Sequence, residues 1–466
     1  MMPVLILLST LLVALLAMRL TFWINGGSRY SPLAFAAVGL VSLNLLGGGL
    51  IASGITGRPF KGLEVRYGLF LWTIVMAGGL VFLGSAWVVD RLWTSKWAGR
   101  RASSEPLSAR RLEPSPVVAG LMLAVGAAGI AVMILYFLQV GTVPLVAALA
   151  GVGDLSTGTL RSLATTEFVG GYWRYDLAMS GALPVVSWFF LVRAVRRPLG
   201  RDAAVFGVFF LLASLAAVAS LLKAPLVLYL VLTLVVGSMA RGRERPSPMA
   251  VVAVLFAIFM LAAMLYRFLM SGQGLPLWEN MARALNRILV GQVYPGLFYM
   301  DYFPAHESFL LGRGLPNPAG LLPHTPVVVA REIWAHYFPH DAAFGNQQGN
   351  VNTMFLFSAF ANFGWLGAGI YACVAGGIVT AAPRCLELLT RPAPELYLPL
   401  FALLCRESLR LSVTSLEQTL LSVPMMLLVV MFASVGVAAK VIQGVVRSDR
   451  QIRTPAPRRE SGRRSP

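Results

Sequence analysis

Hydrophobic runs of about 20 residues recur from end to end of this chain, and nothing else in the sequence limits its fold so strongly. As a helix, each run is long enough to cross a hydrocarbon core about 30 Å thick. Apolar length places spans near 2–20, 32–56, 67–89, 116–138, 175–193, 203–221, 224–240, 249–269, 352–380, 394–411 and 418–440. The expected fold is therefore all-α, a polytopic transmembrane helical bundle of about eleven spans (ten to twelve). Residues 1–445 form one integral membrane domain. The first run has no basic leader and ends in Met18-Arg19-Leu20 instead of a small-residue cleavage site, so it is expected to be a retained helix.

Composition agrees. Only 12% of residues are charged, against about a quarter in soluble chains, and mean hydropathy is +0.73. The net charge of +18 would point to nucleic acid in a soluble protein, but no basic, aromatic-interleaved soluble module exists here, and no nucleic-acid partner is expected. The charge sits between spans instead. Arg91, Lys96, Arg100, Arg101, Arg110 and Arg111 fill one connection, and Arg193, Arg196, Arg197 and Arg201 the next of that set. Arg241, Arg243 and Arg245 follow, and then the tail from Lys440 to Arg464. These connections alternate with the others and so fall on one side, which positive-inside bias makes cytoplasmic. The partner implied is the bilayer of a bacterial inner membrane, and the Arg-, Ser- and Pro-rich segment 446–466 reads as a disordered cytoplasmic tail. The periplasm then receives 57–66, 139–174 and 270–351, with the N-terminus also outside. Cys373, Cys385 and Cys405 form neither a disulfide framework nor metal-ligand spacing.

The 270–351 loop holds all four histidines, His306, His324, His336 and His340, with Glu279, Arg283, Arg287, Asp301, Glu307, Arg313, Arg331, Glu332 and Asp341. Titratable groups concentrated on one face of an apolar protein mark a working face, although wet loops carry polar residues in any case. Within it, Trp278 to Val290 has helical spacing, with Glu279, Arg283 and Arg287 on one side. Such a helix suits the membrane interface and could offer two guanidiniums to a lipid-linked phosphate. An ordinary surface helix with a Glu279–Arg283 pair explains the same pattern.

Cations also stand at expected outer ends of spans: Lys223, Arg267, Arg406 and Arg410, with Arg161 and Arg174 in the second outer loop. Charge at membrane depth is costly and normally pairs or binds something, though snorkelling also accounts for Arg267. Arg406 and Arg410 are four apart and share a helix face, with Glu407 between them. The spans read as nearly free of other carboxylates, which disfavours an ion-coupled carrier. Pyrophosphate binding is assigned to Arg267, Arg283, Arg287, Arg406, Arg410, Lys223 and Arg161. His336 and His324 are the candidate bases. Pro339 interrupts the His336–His340 pair and no third ligand has suitable spacing, so no metal is expected. No cytoplasmic connection is long enough for a nucleotide-sugar domain.

Several segments carry a family resemblance. They are Gly141-Thr-Val-Pro-Leu-Val-Ala-Ala-Leu-Ala-Gly151, the Leu222-Lys-Ala-Pro225 hairpin, the large late loop, and Phe355-Leu-Phe-Ser-Ala-Phe-Ala-Asn-Phe-Gly-Trp-Leu-Gly367. Together they resemble the oligosaccharide repeat-unit polymerases of the Wzy-type O-antigen polymerase family. The likeness covers about 140–370 and is mostly topological. Members often carry a glutamate a few residues before Asn-Phe-Gly, whereas here Phe357-Ser-Ala-Phe-Ala361 has none. The resemblance implies a membrane glycosyltransferase that needs neither metal nor nucleotide cofactor. It would join undecaprenyl-pyrophosphate-linked repeat units at the periplasmic face into O-antigen, capsule or exopolysaccharide, alongside a flippase and a chain-length regulator. An O-antigen ligase shares topology and chemistry. A lipid-linked oligosaccharide flippase or other transporter, and a non-catalytic scaffold, are the remaining readings.

Overall fold

The computed structural model describes residues 2–25, 30–55, 62–101, 115–141, 164, 172–196, 200–219, 223–243, 256, 277–317, 323–339 and 349–453. Among them there is helix and no strand. The helices are α1 (Met2–Ile24), α2 (Pro32–Ala52), α3 (Leu63–Arg101), α4 (Pro116–Val140), α5 (Trp173–Arg196), α6 (Arg201–Ala219) and α7 (Lys223–Ala240). After them come α8 (Leu277–Leu289), α9 (Pro295–Tyr302), α10 (Val329–Tyr337), α11 (Phe355–Leu389), α12 (Tyr397–Arg410) and α13 (Val423–Arg453).

Eight described helices are long and apolar enough to cross a membrane, which makes this a multi-pass membrane protein: α1 to α6, α11 and α13. Three expected spans stand apart from these. The apolar stretch of α7 is shorter, Ala224–Ala240. The run at 249–269 lies, except for Phe256, outside the described residues. The run at 394–411 becomes a 14-residue helix, α12, about 21 Å long at 1.5 Å per residue. Leu398 to Cys405 are all buried, because this helix is sheathed by α2, α5, α7 and α11 instead of lipid. The tail expected to be disordered from 446 continues α13 to Arg453, and 454–466 lie outside the described residues.

Polar contacts tie the helix ends into two faces. At one, Arg193 Nε donates to Asp202 at 3.1 Å and its Nη1 to the Ser115 carbonyl at 3.3 Å. The Ser115 amide donates to Glu395 at 3.1 Å, and Gln443 donates to the Ser115 hydroxyl at 2.7 Å. Asp90 pairs with Arg384 between α3 and α11. This basic face thus joins the ends of α3, α4, α5, α6, α11 and α13 and the start of α12. The opposite, loop face carries α8, α9 and α10.

Packing between spans rests on small residues, as it must where lipid offers no hydrophobic driving force. A Cβ on Gly376 of α11 would fall 2.1 Å from the Phe82 carbonyl oxygen of α3, and one on Gly78 would meet Leu356 at 2.4 Å. The carbonyl of Leu289, at the end of α8, would come within 1.9 Å of a Cβ on Gly47, so the loop helix abuts α2 through its backbone.

Three departures from α-helix shape the loop face. α2 and α5 each contain a π-helical turn, Leu40–Leu45 and Leu177–Ala182. α11 breaks at Phe363 and Gly364, the latter at φ 64°, ψ −151°, a region open essentially only to glycine. The break frees carbonyls that the loop uses. Leu310 and Leu311 donate to Ala361 and Asn362 at 3.0 and 2.8 Å, and the Gly314 amide donates to the Asn362 side chain at 3.0 Å. The Gly312-Arg313-Gly314 turn is thereby docked on Asn362-Phe363-Gly364.

Candidate functional site

Where α12 ends on the loop-face side, a cavity of about 600 Å³ opens between the N-terminal parts of α5 and α13. That is within the size range of small-molecule sites, roughly 300–1,000 Å³. Its walls are Tyr172, Trp173, Asp176 and Leu177 from α5 and its approach, Arg406, Glu407 and Arg410 from α12, and Glu417, Gln418 and Ser422 from the following connection. Met425 and Leu428 of α13 add apolar surface, and Leu428 packs against Gly181.

The two arginines that share a face in sequence are both here, but in different states. Arg406 is occupied. Its Nε and Nη2 reach Glu407 Oε1 at 2.8 and 2.6 Å, its Nη1 donates to the Ser180 carbonyl, and only 14% of its side chain is exposed. Arg410 touches Glu407 through Nη1 alone, at 3.0 and 3.3 Å to the two oxygens, and is 37% exposed. Its Nε and Nη2 take no partner among the described residues, so this guanidinium keeps an open donor edge beside the cavity. Glu407, its side chain 3% exposed, is held between the two cations, Oε1 by both arginines and Oε2 by Arg410 alone.

The π turn of α5 explains how Arg406 is held. A π turn shifts the i→i−4 ladder, and such turns concentrate at functional sites. Ser180 lies inside it: its carbonyl accepts from Arg406, and its hydroxyl donates back to the Asp176 carbonyl at 3.0 Å and to the Asp176 carboxylate. On the opposite wall, Glu417 Oε1 accepts from the Ser358 hydroxyl at 3.0 Å, and Thr414 donates to Gln418 at 2.7 Å. Oε2 of Glu417 is buried and has no hydrogen-bond partner among the described residues. Leaving such an acceptor unsatisfied costs about 1–3 kcal/mol. Ser358 belongs to the stretch Phe357–Ala361 that lacks a carboxylate of its own, and the fold supplies one from Glu417.

Asp176 and Glu417 join Glu407 at the cavity, where three carboxylates stand with two arginines. Asp176 falls at the edge of an expected span, and Glu417 in the short connection after α12. Neither position has a sequence signal beyond its charge.

The other expected residues are elsewhere. Arg283 pairs with Glu279 at 3.3 Å on α8 and Arg287 is exposed there; neither lines the cavity. Arg267, Arg161 and His340 lie outside the described residues, as does the 142–151 stretch; Lys223 opens α7, but its side chain is not described. His324 is half-buried, with Nδ1 unpartnered among the described residues. His336 belongs to a second group on the loop face, its ring 4.6 Å from His306 and 5.1 Å from Tyr302. Beside them, burial and then the Glu307 charge push the Glu332 carboxyl up, against a smaller pull from Arg313. Tyr337 donates to buried Asp301 at 2.5 Å, and Arg66 reaches the same carboxylate at 3.5 Å, anchoring α9 and α10 to α3. Neither His336 nor His324 lines the cavity.

No family model matches the chain, and no curated protein or solved structure does.

Proposed function

We propose that this protein is a membrane glycosyltransferase that lengthens undecaprenyl-pyrophosphate-linked oligosaccharides at the outer face of a bacterial inner membrane, building a surface polysaccharide. The observation that carries this reading is the open donor edge of Arg410 in a cavity of about 600 Å³ at the loop-face end of the spans. A diphosphate bridging lipid and sugar would sit at this depth, with its prenyl chain in the bilayer. Arginine's planar fork suits phosphate oxygens, and pyrophosphate needs its departing charge held more than it needs chemical activation. Glu407 lets Arg406 and Arg410 stand together inside the bundle. Arg283, Arg287, Arg267, Lys223 and Arg161 are not required by this reading of the site.

The three carboxylates favour one second reading, an ion-coupled carrier of lipid-linked sugars, since acidic groups at depth serve such coupling. Purified protein in nanodiscs, given only undecaprenyl-pyrophosphate-linked repeat units, decides between them. A polymerase yields a ladder of longer lipid-linked products. A carrier yields none, and a ligase needs a further acceptor.

A further inference from the structure

We infer that α8 is an interfacial helix: acyl chains of the leaflet on the loop-face side cover its apolar edge, and phospholipid headgroups meet its basic edge. This holds whatever reaction the cavity serves. Met281, Leu285 and Ile288 recur at i, i+4 and i+7 and share one edge of α8, whereas Glu279, Arg283 and Arg287 share the other. On an ordinary surface helix the apolar edge packs against protein. Here Leu285 is 49% and Ile288 39% exposed, and the inward contacts come from half-buried Leu289 and buried Val290.

Depth decides what covers the exposed edge. α2 begins on the basic face, where Tyr30 just before it donates to Ser238 near the end of α7 at 3.2 Å, so it ends at Ala52 on the loop face. The end of α8 meets α2 at Gly47 and along the π turn Leu40–Leu45. Gly47 lies inside Ala52 by about 7.5 Å at 1.5 Å per residue. α3 gives the same level. Gly48 adjoins Leu71 and Trp72, and Arg66, the last charged residue toward that end, stands about 9 Å further out. The last turn of α8 is therefore sunk below the ends of the spans it abuts, level with lipid chains, and Leu285 and Ile288 belong to that turn or border it. Hydrocarbon is the neighbour that suits them there. Arg287, exposed on the other edge, has a stem long enough to lift its guanidinium to the phosphates, while Arg283 is held by Glu279 at 3.3 Å.

The test places a single fluorophore on the full chain in nanodiscs of phosphatidylethanolamine and phosphatidylglycerol. Leu285→Cys, Ile288→Cys and Arg287→Cys are made separately in a background carrying Cys373→Ser, Cys385→Ser and Cys405→Ala, and each is labelled with an environment-sensitive dye. Two quenchers are compared, a nitroxide on the phospholipid acyl chain and iodide in the water. The labels at Leu285 and Ile288 are expected to be quenched about threefold more by the acyl nitroxide than the label at Arg287, with the order reversed for iodide. Iodide reaching Leu285 as readily as Arg287 overturns the inference, because α8 is then an ordinary wet helix. A Leu285 label that neither quencher reaches overturns it as well, since another part of the chain or a second copy then covers the edge. Both of these results leave the glycosyltransferase reading intact.

Discussion

Arg406 and Glu407 are neighbours in sequence and partners in space, with Arg406 Nε and Nη2 at 2.8 and 2.6 Å from a single carboxylate oxygen. Adjacent residues on a helix point about 100° apart, so the pair closes only because the long guanidinium stem curls back to a carboxylate that Arg410 also holds. The contact occupies Arg406 and leaves Arg410 as the one of the two with an open donor edge at the cavity. Replacing each arginine with glutamine should separate the roles. R410Q is expected to fold normally and lose carrier-lipid binding about tenfold to 100-fold. R406Q should lose thermal stability first, as read by unfolding in detergent.

Glu407 sits at the centre of that lock. Glu407→Gln leaves two cations beside each other inside the bundle, and breaking a buried pair by removing one partner costs about 3–5 kcal/mol. The variant is expected to reach the membrane in sharply reduced amount. Normal yield and unfolding temperature would show that water, not Glu407, neutralises the arginines.

A backbone contact sets the next prediction. Gly376 lets α11 approach α3 so closely that any side chain would strike the Phe82 carbonyl, which cannot swing aside. Gly376→Val should destabilise by at least about 1–3 kcal/mol, whereas the same change at Gly369, where a Cβ meets nothing within 4 Å, should be near neutral. Unfolding midpoints of the two variants make the comparison.

Gly364→Ala forces an alanine to φ 64°, ψ −151°, and brings its Cβ to 3.2 Å from Phe309. The strain, about 1–3 kcal/mol, should undock the loop that hydrogen-bonds to the break. Limited proteolysis near Arg313 is expected to accelerate, with little change in helix content by circular dichroism.

Glu332 gives a pH dependence of defined sign. Its carboxyl is raised from the ordinary 4.5, so the folded state holds the proton more tightly than the unfolded chain does. Its contribution is therefore intact in acid and declines as pH rises from the ordinary value through the folded one. Glu332→Gln should raise the unfolding temperature relative to wild type at neutral pH and leave it unchanged below pH about 4.

Much of this architecture could be read from the chain because lipid imposes a length rule. Wherever an apolar run meets bilayer on some side, as in α1, α4 or α13, hydropathy alone marks the helix. The same rule placed a span at α12, a 14-residue helix that is apolar for a different reason: neighbouring helices surround it, and they impose no minimum length. The site was half legible. Arg406 and Arg410 announce themselves by helical spacing and by the expense of charge at depth. Asp176 and Glu417 do not, because what makes them part of a site is the approach of α5, α12 and the 411–422 connection. Glu417's anchor, Ser358, lies 59 residues away. The histidines drew attention for their rarity, yet His336 is held by His306 and Tyr302 at a distance from the cavity lining.

The π turn at Leu177–Ala182 carries one residue more than an α-helical path of the same length would use. Removing a single residue there would not break α5, but would rotate everything before it by roughly 100° relative to everything after. Asp176 and Trp173 would swing off the cavity wall, and the Ser180 carbonyl that receives Arg406 would turn relative to them. The bundle would survive as a bundle, with the same spans and the same composition, and lose its function through phase alone.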